Sequence, residues 1–578
     1  MGRHVRGRAK HLRRKSNNGL WKKLTAGAVG SVTILSPLSL VQAAGNSTEM
    51  PVAVEEKNAY PTGVEQQKTE KAALLVTGYT FSGENPVSDE ELQQLLAKYR
   101  RHKATLHDLE EQAGEVQQYL RNKGYFVAQA YIPPQGFVEG LVEIRIVPGR
   151  YDEVEIANES YIEDRAIRQE VGIKAGELVK KSNLERGVWL AGDLSRVEVK
   201  TQLMAGKKPG TTKLRVAAKP KGKRMWGFVG FDNGGYRYTG RYQYSAFINY
   251  ASPFRNGDLF SLGGVISNEG TDTWSGSATY VTPIFHRGNK LGLSYARSQY
   301  ALGGDFAAQG FTGEAKTFSV WWEHNFKRSR NHNIYGIIRF DSKELSSQAE
   351  ALPYKNPKSA RNMVYTLRGD SLDTLATGGK NTWSLSYTHG NLQLKDDIQR
   401  QVDALPGTGV AAGMHTAGHF GKYNLNLTRL QRLSDRWALY LSYSRQWAEK
   451  NLDSAEKLSL GGPYGVRAYP IGEASGDDGW LWTSELRWNV PTKEGDDNVW
   501  QLIAFVDGGH IDAYHDGNSR NTARGNGRSL YGAGLGINWS NAENWAARLH
   551  YAWKLGHEKA ESDKNANGRL WFQLYRFF

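Results

Sequence analysis

The chain has 578 residues, no cysteine, 17 Trp, 29 Tyr and 19 Phe, yet its mean hydropathy is −0.58 and its formal charge +15. The missing cysteines exclude disulfides, thiolate zinc sites and thiol nucleophiles, and the low hydropathy excludes a helical membrane protein. Nine positive charges lie in residues 1–23 (Arg3, Arg6, Arg8, Lys10, Arg13, Arg14, Lys15, Lys22 and Lys23) with no acid among them; removing these leaves 15 − 9 = +6, a poor footing for nucleic acid as a partner.

The basic start runs into Leu24–Ala44, "LTAGAVGSVTILSPLSLVQAA". A charged region, an apolar region and a small-residue cleavage site predict a signal peptide over 1–44. Residues 45–73 are polar and carry Pro51 and Pro61. They read as a linker with room for a short helix.

Residues 74–149 have a different pattern. "LLVTGYTF" reads as a strand. "SDEELQQLLAKY" reads as a helix opened by Ser88 and Glu91, with Leu92, Leu95, Leu96 and Tyr99 on one stripe. A second helix over "TLHDLEEQAGEVQQYLRNKG" has Thr105 to cap it and Gly124 to end it. Two strands, "YFVAQAYI" and "GLVEIRIV", flank a turn at Pro133–Gly136. The order β-α-α-β-β then repeats over 150–220, with Ser182 and Glu185 expected to cap the second helix of that unit.

From about residue 225 to 578 the period changes to two. In "NWAARLHYAW" one face is Trp545, Ala547, Leu549, Tyr551 and Trp553, and the other Ala546, Arg548, His550 and Ala552. In "LWTSELRWNV" Trp482, Leu486, Trp488 and Val490 oppose Thr483, Glu485, Arg487 and Asn489. Sixteen such segments start near residues 226, 241, 257, 272, 289, 314, 331, 361, 380, 420, 434, 479, 499, 528, 543 and 568. An even number of alternating strands of about 10 residues, aromatic at the ends, predicts a 16-stranded antiparallel transmembrane β-barrel in the outer membrane. Outer-membrane lipid is then a partner of the outer face, and the barrel closes as a single chain, as a monomer.

One long connection, within 461–479, lies between the eleventh and twelfth strands and begins on the long-loop side. A barrel of sixteen strands leaves a wet lumen into which it can fold. In "WQLIAFVDGG" the register that puts Gln501 inward also puts Phe505, Asp507 and Gly509 inward. Arg467 on the loop is the expected partner of Asp507, in a charge-assisted pair able to be bidentate. The acids Asp477 and Asp478 lack the spacing of a calcium loop and read as solvated. So do the basic residues Arg100, Arg101, Lys103, Lys180 and Lys181. No metal or cofactor is expected. The scattered histidines, without H-E-x-x-H or G-x-S-x-G, argue against an enzyme.

These stretches carry a family resemblance. Gly465-Val466-Arg467-Ala468-Tyr469-Pro470 resembles the VRGY-type loop tip of the Omp85 superfamily, with Ala468 where many members have Gly. Phe505-Val506-Asp507-Gly508-Gly509 is similar to its F-x-D-x-G wall motif, and "KGYFVAQAYIPPQ", residues 123–135, resembles the first POTRA domain of the TpsB transporters. The ending departs slightly: related chains finish Tyr-Arg-Phe, and here Phe578 follows Phe577. The resemblance implies two periplasmic α+β POTRA modules (74–149 and 150–220), a barrel (225–578) and a plug helix before them. It further implies two-partner secretion, in which a TpsA-like exoprotein is recognised through its N-terminal secretion domain and threaded unfolded to the surface. The loop-tip and wall residues (Gly465, Val466, Arg467 and Tyr469; Phe505, Asp507 and Gly509) are the candidate site, as transport machinery, as a structural clasp, or both. An Omp85-type assembly factor of the BamA or TamA kind is the alternative, and such proteins typically carry more POTRA domains.

Overall fold

The computed structural model describes residues 73–267, 273–351, 354–407, 412–493, 495–517, 525–541 and 544–578, and the backbone of a two-residue strand β1 (Val52–Ala53). The expected signal peptide and plug helix fall outside the described residues.

In the first module "LLVTGYTF" is two strands, not one. β2 (Leu74–Leu75) pairs with β4 (Lys103–Ala104), while β3 (Gly78–Gly83) runs parallel to β6 (Leu141–Val147), which pairs antiparallel with β5 (Gln129–Tyr131). Helix α1 (Asp89–Leu95) begins where Ser88 Oγ accepts the N–H of Glu91 at 3.3 Å. Helix α2 (Leu106–Asn122) has a full capping box between Thr105 and Asp108. Leu92, Leu96, Leu109, Val116 and Leu120 of this helical pair share one buried cluster with Val142 and Ile144 of β6.

The second module places β9 (Thr211–Pro220) between β7 (Arg150–Asn158), parallel to it, and β8 (Val197–Ala205), antiparallel. Helices α3 (Asp164–Val171) and α4 (Lys181–Gly192) cover one face; Ile167, Leu184, Val188, Leu214 and Val216 are in its core. The cap expected at Ser182 is not formed. Lys180 holds the cap position without a side-chain bond, and the N–H of Lys181 donates to Gly124 O of the first module at 2.8 Å. Packing between modules sets this helix start, not a local side chain.

Sixteen antiparallel strands close the barrel. They are β10 (Met225–Asp232), β11 (Gln243–Ala251), β12 (Leu259–Ser267), β13 (Trp274–Pro283), β14 (Asn289–Ala301), β15 (Phe311–Arg328), β16 (His332–Ala349) and β17 (Tyr354–Asp373). β18 (Gly379–Leu394), β19 (Gly418–Arg432) and β20 (Trp437–Ala448) follow; after two short strands of the inner loop, β21 (Leu458–Ser459) and β22 (Ser475–Gly476), come β23 (Asp478–Asn489), β24 (Asn498–Asp512), β25 (Gly527–Asn541), β26 (Trp545–Lys554) and β27 (Gly568–Phe577). The seam joins β10 to β27 over Phe228↔Phe577 to Asp232↔Gln573, and Gly227 and Phe578 exchange two backbone hydrogen bonds of 3.2 Å. The additional terminal Phe thus extends the closing ladder.

Alternation along each strand gives the wall an apolar outside: Leu549, Tyr551 and Trp553 are exposed outward, as are Trp482 and Leu486. The middle strands exceed the expected length: β15, β16, β17 and β18 have 18, 18, 20 and 16 residues. Their outward register shows why. On β16 exposed Ile338 and Phe340 give way to Ser342, Glu344, Ser346 and Gln348, so hydrogen bonding continues after the apolar band has ended.

The second module is fastened to the short-turn end of the barrel. Asp193 pairs bidentately with Arg328 at 2.7 Å, Arg186 donates to the carbonyls of Asn325 and Phe326, and Glu170 Oε2 accepts the N–H of Gly288 at 2.9 Å. That turn is unusual: Phe285, His286, Arg287 and Gly288 all have positive φ, from 49° to 84°. Three non-glycine residues in the left-handed region carry strain, and the Glu170 contact and a bond from Arg287 to Gly172 O hold them there.

Candidate functional site

After β20 the chain turns inward. A one-turn 3-10 helix, Ser454–Glu456, leads into a hairpin whose arms β21 and β22 pair at Leu458↔Gly476 and Ser459↔Ser475. The hairpin tip lies against the inner wall formed by β23 to β27.

Gly465 lets the tip turn: a Cβ there would lie 1.9 Å from Leu460 O. The N–H of Val466 donates to that same carbonyl at 2.6 Å, and its side chain is fully buried. Arg467 is therefore presented from a rigid turn, and it is only 4% exposed. Its Nε and Nη2 donate to Asp507 Oδ2 and Oδ1, each at 2.8 Å, and its backbone N–H reaches Oδ2 at 3.2 Å. Its Nη1 donates to Glu485 Oε1 at 2.8 Å. The guanidinium lies 3.4 Å from the centre of the Phe505 ring, and Trp571 Nε1 donates to Arg467 O at 2.7 Å. One cation thus meets two carboxylates and an aromatic face in a buried place, where each interaction is stronger than in water.

The remaining expected residues complete the contact. Gly509 receives Leu460 of the loop, whose Cδ2 would lie 2.8 Å from a Cβ at that position. Tyr469 is buried and donates through its hydroxyl to Glu558 O at 3.1 Å. Ala468 has its methyl opposite Gly532 of β25, where a second Cβ would come within 2.6 Å. The missing side chain across the interface makes room for the one gained on the loop.

Several partners carried no motif. Glu485 and Trp571 belong to strands 18 and 104 positions away from Arg467; the alternation of "LWTSELRWNV" had put Glu485 on the inner face but named no partner for it. Glu473, 1% exposed, accepts the N–H groups of Glu561 and Ser562 and pairs with Arg528 at 2.6 Å. Asp477 is not solvated as expected: it is fully buried, pairs with Lys457 at 2.7 Å and accepts the N–H of His515. Asp478 accepts the N–H of Ala448 and the ring of His515. Both acids have protein partners, and no cluster suited to a metal ion occurs among the described residues.

Comparison with known proteins adds the lineage. Residues 210–539 match the family model "Haemolysin secretion/activation protein ShlB/FhaC/HecB", and residues 74–149 match a ShlB-type POTRA domain. The chain is 26% identical over 503 residues to the Heme/hemopexin transporter protein HuxB of Haemophilus influenzae (strain 86-028NP), covering 85% of each. It is 24% identical over 485 residues to the Outer membrane transporter CdiB of Dickeya dadantii (strain 3937), covering 80% of this chain and 79% of that one. Its fold matches CdiB from Escherichia coli with a TM-score of 0.72 at 18% identity, over 90% and 93% of the two chains. Matched by the family model over more than half its length, the chain belongs to the haemolysin secretion/activation family ShlB/FhaC/HecB: it is a TpsB-type outer-membrane transporter, not an enzyme, that secretes partner exoproteins from its periplasmic POTRA side.

Proposed function

We propose that the POTRA modules recognise a TpsA-like exoprotein by its N-terminal secretion domain, and that the Arg467 clasp controls the path by which the unfolded chain leaves. The observation that carries this reading is the tip of a long loop held inside the lumen by a buried cation between Asp507 and Glu485. A strap in that position obstructs a polypeptide, and the pore must move it.

Sheet edges supply the recognition. Beyond its pairing with β9, β8 is joined among the described residues only at Thr201 and Gln202, by β1 in parallel. Among the described residues no other strand pairs with that edge, and main-chain hydrogen bonds to an added strand tolerate many sequences. Two modules favour this over outer-membrane protein assembly, whose agents typically carry more.

The test is secretion of the adjacently encoded exoprotein in cells carrying Arg467→Ala, with heat-modifiability of the barrel measured alongside. Lost secretion from an intact barrel is expected. Normal secretion would reduce Arg467 to a fastening and leave the POTRA surfaces as the controlling element.

A further inference from the structure

The loop is held a second time, on another arc of the wall. Its 3-10 turn points Glu456, 6% exposed, at strands β16, β17 and β19. Glu456 Oε1 accepts from Lys343 Nζ at 2.6 Å and from Asn362 Nδ2 at 2.9 Å, and Oε2 meets Lys422 Nζ at 2.8 Å. Lys422 also donates to Glu456 O at 2.8 Å. Beside them Asp453 pairs with Lys358 of β17 at 2.5 Å, both largely buried, and caps the turn through the N–H of Ala455.

Two carboxylates three residues apart on the loop thus meet three amines on three strands. Among the described residues no hydrogen bond or ion pair joins these wall residues to the tip, which is bound by β23, β24 and β27 through Glu485, Asp507 and Trp571. A loop tied only at its tip would swing on its base once Arg467 let go. Tied at both places, it remains across the lumen until both have released. A buried, multiply bonded carboxylate does not separate cheaply from its cations, because separation leaves uncompensated charge.

We infer that Glu456 and Asp453, with Lys343, Lys358, Lys422 and Asn362, form a second clasp that positions the loop in the closed pore and must open with the Arg467 clasp for transport. This rests on the reading of the loop as the moving strap.

Its test is electrical and uses the purified full-length protein in a planar lipid bilayer, with no exoprotein present. Glu456→Gln keeps the shape and removes the charge. Opening events at least tenfold more frequent than in the wild type are expected, with the barrel still heat-modifiable. A frequency within twofold of the wild type overturns the inference. Should that variant not assemble, Lys358→Gln on the Asp453 pair is judged by the same two outcomes.

A merely structural contact would not respond to reversible locking. Because the chain has no cysteine, Glu456→Cys with Lys422→Cys can be joined selectively by a short, reducible bis-thiosulfonate linker. Openings should fall at least tenfold when linked and return on reduction. Openings unaffected by the link overturn the second clasp. Neither readout depends on the exoprotein, so a failure here is distinct from a failure of exoprotein recognition, which only the secretion assay reports.

Discussion

The POTRA modules bury Leu92, Leu120, Ile144 and Leu214 and leave their ion pairs wet: the side chains of Lys98 and Glu115 are 59% and 29% exposed. The barrel reverses the arrangement. Many of its leucines and aromatics face outward, while Arg467 and Asp507 pair inside at 5% and 0% exposure, and Lys422 and Glu456 at 12% and 6%. A module in water is stabilised by apolar burial, and its surface pairs contribute little. Inside the barrel a small apolar cluster, with Leu460, Val466 and Tyr469 of the loop beside Phe505 and Leu530 of the wall, seats the tip, and the buried charges fix its position within the lumen. Buried charges are costly to strand, which makes them suited to hold a loop in one place.

The contrast is sharpest in mutants. Arg467→Ala strands Asp507 with only the Thr483 hydroxyl on its side chain, while Glu485 keeps its pair with Arg487, and the loop should lose about 3–5 kcal/mol of docking free energy. Surface protease should then cut at the freed tip, within residues 461–470, while the barrel remains heat-modifiable; an uncut tip would show that the Arg467 pairs are not what holds it. Leu120→Ala acts on the other region. It should cost the first module about 2–5 kcal/mol by opening a cavity, seen as an earlier loss of helical circular dichroism with bilayer conductance unchanged.

The joint between the two regions should respond to pH. Burial between α3 and the strained turn raises the Glu170 carboxyl to about 7, and burial together with nearby Arg165 disfavours charge on His286. At 3.8 Å, with both groups pushed toward neutrality, these two do not form an ion pair near pH 7. Because the docked group is raised above its ordinary value, docking is favoured when it is protonated. The advantage is complete below about pH 4.3 and is lost as pH rises through about 7, a span worth on the order of 3 kcal/mol. The second module should therefore melt at a higher temperature at pH 5.5 than at pH 8, and Glu170→Gln should remove most of the difference. A wild-type melting point independent of pH would refute this. Smallest of all, Lys98→Met should leave the first module's melting point unchanged within error, since a solvated pair is screened and mobile.

Much of this architecture is written locally. Period-2 alternation in segments such as "NWAARLHYAW" records which side meets lipid, and Ser88 and Thr105 mark helix starts because a capping hydroxyl bonds to residues three positions on. The pairing of Arg467 with Asp507 could be anticipated, since an inward register and one loop arginine leave few choices. Other features have no local signature. Ser182 matches a cap and is not one, because the first module's Gly124 takes the neighbouring N–H. Asp477 looks like a solvated loop acid until Lys457 and His515 close over it.

By itself, then, the sequence determined the modules, the number of strands and the face each strand turns to lipid, since these depend on neighbours within a few residues. Only the tertiary structure decided which charges share the lumen. Glu485, Trp571, Lys343 and Lys422 meet the loop because sixteen strands close on one another, and closure brings together residues whose separation along the chain carries no periodic signal.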